Sequence, residues 1–118
     1  MGLFSTKKAD PASQVAEHSV IARYRLSPGP GGTATDLTSV YALEDRLIEA
    51  IGAARAGEFD GPQFAEDELI LCAYGPDADR LFAAMEPALR AFPARPGQVL
   101  LRYGGYTDTD ATEHLVQL

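Results

Sequence analysis

The stretch Asp67–Phe82, DELILCAYGPDADRLF, constrains the fold more than any other, because it reads as a strand that turns sharply into a helix. From Glu68 to Tyr74 the residues are apolar after the first, the pattern of a central strand covered on both faces. Gly75-Pro76 breaks the run, and Pro76 is pre-set for a first helical turn. Asp77 and Asp79 then place negative charge where the amides of the helix start are unpaired, so their simplest role is capping. Leu81, Phe82, Met85, Ala88, Leu89 and Phe92 follow at helical spacing and predict one apolar stripe, with a bend at Pro87, which has no N–H for the carbonyl of Ala83.

The remaining chain can be set around that unit. Residues 1–17 show no sustained period and are predicted to be a flexible arm. Between Ser19 and Leu26, Val20, Ala22, Tyr24 and Leu26 alternate with Ile21, Arg23 and Arg25, which predicts a first strand with one wetter face. Residues 27–35, SPGPGGTAT, predict a loop; Gly29-x-Gly31-x-x-Ala34 inside it matches the dinucleotide fingerprint formally, but two prolines stiffen it and no helix opens directly behind it. A helix is predicted from Asp36, as cap, to Ala56, with Leu37, Val40, Tyr41, Leu47, Ile48, Ile51 and Ala54 inward and Gly57 as the stop. Glu58–Asp60 predicts a short strand, and Gly61-Pro62 a turn into the central strand. Gln98–Tyr103 is the last predicted strand; the acidic tail 106–118 is expected to add an edge strand or to pack as a flap.

The order strand, helix, strand, strand, helix, strand predicts an α+β fold over residues 18–105. It is the ferredoxin-like βαββαβ sandwich, a four-stranded antiparallel sheet with two helices on one face. Right-handed crossovers make the strand order four-one-three-two.

Charge and cysteine usage narrow the function. The net charge is −7, and residues 58–118 hold eleven of the 17 acidic side chains but four of the ten basic ones. Phosphate binding needs clustered cations, so nucleic acid is not expected as a partner, whereas a basic protein is compatible. One cysteine, Cys72, leaves no internal disulfide and no thiolate metal cluster, which points to the cytoplasm. No window approaches the twenty apolar residues of a membrane span, and the amino terminus lacks a signal-peptide core.

The phrases ALED (42–45), GEFDG (57–61), YGPDADRLF (74–82) and LRYGG (101–105) resemble those of short uncharacterised bacterial proteins. The resemblance spans roughly residues 40–105 and implies a small bacterial domain. It carries over no activity and no site residue.

Chemistry-bearing residues are sparse. Cys72 is predicted to be structural, since an apolar strand raises a thiol pKa and only His18 and His114 could act as a base. Asp108, Asp110 and Glu113 lack the glycine turn and spacing of a calcium loop, so neither a metal nor a cofactor is expected. Glu58 and Asp60 are predicted to share a face with Arg23, Arg25 and Arg102 and to form an ion-pair network rather than an acid-base pair. That face, with Ile21, Leu100 and Tyr74, is the candidate binding surface. The expected function is a non-catalytic protein-interaction module, a homodimer or a neutraliser of a basic partner; a sensor or carrier of a small anion, and a small enzyme, are the alternatives.

Overall fold

A computed structural model describes residues 17–26, 37–94, 96–105 and 109–118. Among the described residues seven elements follow one another: β1 (His18–Arg25), α1 (Leu37–Ala54), β2 (Glu58–Ala65), β3 (Glu68–Gly75), α2 (Ala78–Ala91), β4 (Gly97–Tyr103) and β5 (Thr112–Gln117). The fold is α+β, with an antiparallel sheet of five strands in the order β2-β3-β1-β4-β5. The sheet was expected to have four strands; the fifth comes from Thr112–Gln117, which pairs along β4 from Gln98↔Gln117 to Tyr103↔Thr112. The expected arm, the glycine loop with its dinucleotide-like spacing, the Asp36 cap and Asp108 lie outside the described residues.

The core lies between the helices and one face of the sheet. Val20, Ala22 and Tyr24 of β1, Leu69, Leu71 and Ala73 of β3, and Val99 and Leu101 of β4 are buried against Val40, Leu43, Leu47 and Ile51 of α1 and Leu81, Met85 and Leu89 of α2. Alternation along a strand puts every second side chain on the other face. β3 therefore departs from the doubly covered strand predicted for it: its residues alternate between buried and half-buried, and Ile70, Cys72 and Tyr74 stand on the face without helices. The run is continuously apolar because both faces are apolar, not because both are covered.

Helix α2 is capped locally at its start and by a distant side chain at its end. Asp77 is the N-cap of α2, its Oδ1 accepting from the Asp79 and Arg80 amides at 3.0 and 3.3 Å. At the other end of α2 the Leu89 carbonyl would look to residue 93 for its donor, and Pro93 has no N–H. The buried Tyr24 hydroxyl supplies it instead, donating at 2.6 Å. Helix α1 closes before the predicted Gly57: Arg55 takes the left-handed conformation at φ 51°, the Arg55 amide donates to Gly52 and the Ala56 amide to Ile51. Gly57 has another reason to be glycine, since a Cβ there would run into the Tyr74 carbonyl.

β2 also differs from expectation. The strand runs straight through Gly61-Pro62 to Ala65, and the turn into β3 is Glu66-Asp67, with Glu66 at φ 50°. Gly61, at φ 97°, is absorbed as a bulge between Phe59 and Gly61. The Leu26 amide donates to the Asp67 carbonyl, so odd-numbered residues of β3 point to β1 and even-numbered ones to β2. By the register of β2, Pro62 then faces the free edge, where its missing N–H costs no ladder bond.

Candidate functional site

Strand register arranges the face without helices into rows that cross the sheet. The middle row is Gly61, Cys72, Ile21, Leu100 and Leu115, taken from β2 to β5. On one side of it runs Glu58, Tyr74, Ser19, Arg102 and Glu113; on the other, Gln63, Ile70, Arg23, Gln98 and Gln117. Neighbouring strands are about 4.8 Å apart, so an apolar stripe four side chains long crosses the centre. Leu115 at its end is 51% exposed, while Ile21, Cys72 and Leu100 are half-buried.

The structure brings Ile21, Arg23, Arg25, Tyr74, Leu100, Arg102 and Glu58 to this one face, as alternation requires. Asp60 sits at the bulge, outside the regular register, and its carboxylate is felt by Cys72. The arginines have carboxylate neighbours other than the expected Glu58 and Asp60. Arg23 meets Glu68 at 3.7 Å, Arg25 meets Asp67 at 3.3 Å, and Arg102 meets Glu113 of β5 at 3.2 Å. Pairing across and along the ladder selected these partners: the edge strand that carries Glu113 was one of the two outcomes expected of the tail, whereas the turn that carries Asp67 was expected at Gly61-Pro62. Arg23 lies opposite Gln98 and Arg102 opposite Ser19, four residues apart along β4, or roughly 13 Å. The three guanidinium groups therefore do not converge on one anion.

Cys72 has no base beside it. His18 pairs with Gly75 on the helix-covered face, and His114 lies on β5, opposite Leu101. Burial pushes the Cys72 thiol up, the Asp60 carboxylate adds to the rise, and the Arg23 guanidinium opposes it. The thiol is thus held in its less nucleophilic form. Among the described residues no group of three or more His, Cys, Asp and Glu side chains is placed to hold a metal ion, and no helix is long and apolar enough to cross a membrane.

A second polar cluster closes the start of α2 and was not foreseen from sequence. His18 Nδ1 accepts from the Ala78 amide at 3.1 Å, which leaves the ring hydrogen on Nε2. The Tyr103 ring meets His18 edge-on at 5.7 Å, and its hydroxyl donates to Asp79 at 2.6 Å. That bond pushes the Tyr103 phenol up to about 12, with the Asp77 and Asp79 charges adding to it, so this phenol is not available as a base near neutrality. Strands β1 and β4 place the two rings side by side, a neighbourhood that no local spacing announces. No protein-family model matches this chain, and neither does any curated protein.

Proposed function

We propose that this chain is a non-catalytic protein-interaction module that docks a partner protein on the open face of its sheet. The observation that carries the reading is the apolar stripe Cys72, Ile21, Leu100 and Leu115, which crosses four strands with no helix of the described residues above it. Apolar side chains aligned across a sheet face are the feature that marks an interface, because a partner removes them from water together. Each half-buried leucine or isoleucine has roughly 1 kcal/mol still to gain on full coverage. The flanking ion pairs, with Arg23 and Arg25 side chains 50% and 55% exposed, each stabilise the monomer by about 0–1 kcal/mol. Their better use is to set the orientation of a partner that carries charges on either side of an apolar ridge. With a net charge of −7, a partner basic outside that ridge is favoured.

The reading includes the fold and the compartment. The first six elements form a ferredoxin-like unit whose order β4-β1-β3-β2 is the one right-handed crossovers impose, widened by β5. A free thiol on an open face suits a reducing cytoplasm, in keeping with the bacterial resemblance of the sequence.

The test is site-specific photocrosslinking in cells. A photoreactive residue at Ile21 should give an adduct with a distinct protein, and one at the exposed Glu49 of α1 should not. Ile21→Lys combined with Leu100→Lys should abolish capture through a probe at Arg23 while preserving the circular dichroism. Equal yields from Ile21 and Glu49, or capture that survives the double substitution, would remove the open face as the functional surface.

A further inference from the structure

A second surface, distinct from the open face, carries its own inference: the edge of β5, which no other strand of the described residues pairs. The Leu118 amide donates to the Gly97 carbonyl at 2.9 Å, and the ladder runs in step from there through Gln98↔Gln117. In an antiparallel ladder each residue turns both its N–H and its C=O to the same side, alternately. Leu118, Val116, His114 and Thr112 therefore bond to β4, and Glu113, Leu115 and Gln117 aim their amides and carbonyls away from the sheet. The other strand pairs agree, since the Arg25 amide donates to Pro96 and leaves Gly97, Val99 and Leu101 turned toward β5.

The two edges of the sheet are not alike. β2 is blunted by Pro62 and by the bulge at Gly61, both devices that prevent strand addition. β5, TEHLVQ, has a regular register and contains no proline, no lysine and no bulge. It is the edge left fit for pairing.

We propose that β5 pairs antiparallel with β5 of a second copy about a two-fold axis through Leu115. The occupant follows from the spacing of the outward residues, which stand symmetrically about Leu115. Only the register Leu115↔Leu115 pairs all three, with Glu113 opposite Gln117 on both sides of the axis and six backbone hydrogen bonds made. A register centred on Glu113 would set two carboxylates against each other and leave Gln117 unpaired. One centred on Gln117 strands Glu113. In the favoured register the Glu113 carboxylate meets the Gln117 amide, a donor for an acceptor, while keeping Arg102 on its other side. The exposed Leu115 side chains then cover one another, and the apolar row continues from Leu100 of one copy to Leu100 of the next.

The chemistry of the edge also supplies the test. Because the Leu115 N–H points outward, Leu115→Pro removes no bond of the β4–β5 ladder, yet it deletes the central pair of the dimer. Light scattering on the full chain should give twice the monomer mass, and Leu115→Pro should give the monomer with the circular dichroism of the parent. Ile21→Lys, which acts on the open face, should leave the doubled mass in place, so loss of one surface is separable from loss of the other. Amide exchange read by NMR keeps the test independent of that proline: Glu113, Leu115 and Gln117 should exchange slowly at high concentration and quickly on dilution, with His114 and Val116 slow throughout. A monomer at millimolar concentration overturns the proposal. So does a dimer that Leu115→Pro leaves intact in a folded chain, or fast exchange at Glu113, Leu115 and Gln117 in the dimer.

Discussion

Tyr24 shows how one hydroxyl can decide the fit of a helix on a sheet. Its ring is wholly buried and meets Phe92 edge-on at 4.8 Å, while its oxygen serves the Leu89 carbonyl that Pro93 cannot. Tyr24→Phe keeps the packing and strands a buried acceptor, so chemical denaturation should show a loss of about 1–2 kcal/mol. Tyr103 gives a pH signature. Its phenol is raised in the fold to about 12, against about 10 in an unfolded chain. The fold favours the protonated phenol, so the stability it contributes is fully present below pH of about 10 and is lost as pH rises toward 12. Following the ring by NMR should show that late titration, and Asp79→Asn should bring it back toward the ordinary value. Of these residues only Asp77 was legible as a cap in advance, because capping is a local spacing. The Tyr24, Tyr103 and His18 bonds join positions 65, 24 and 60 residues apart.

Among the elements, the strands were more legible than the helix faces. Period-two alternation located β1 and β4, and the apolar run located β3, since these patterns need no partner to be seen. On α1 two apolar stripes lie side by side, and helical spacing alone cannot say which one the sheet takes. The buried set is Val40, Leu43, Leu47 and Ile51; Leu37, Tyr41 and Ile48, predicted to face inward, are each more than half exposed. Leu47→Ala should accordingly cost about 2–5 kcal/mol, through lost burial and the cavity left behind. Its neighbour Ile48→Ala should stay within about 0.5 kcal/mol, and thermal melts of the pair would separate the two faces. Gly61-Pro62 misled in the same way: the dipeptide signals a turn wherever it occurs, and only its position on an edge strand allows it to sit inside β2. The open face was legible in its residues but not in its extent, because Leu115 joins it through a register that the tail sequence does not declare.

At the scale of the whole molecule, Cys72 reports which surface is in use. It stands half-buried in the middle of the apolar row, so docking on the open face should slow its reaction with a thiol reagent several-fold, whereas edge pairing alone should leave the rate unchanged. The blunted β2 edge bears on how large any assembly can become. A sheet able to accept a strand on both sides has no natural end, for every newcomer offers a fresh side to the next, and growth runs on as a ribbon. Here the proline and bulge blunt one side, and the proposed two-fold axis at Leu115 would use up the other. An association of that kind is self-limiting: its stoichiometry would be written into Pro62, far from the strand where the copies meet, and it would stop at two.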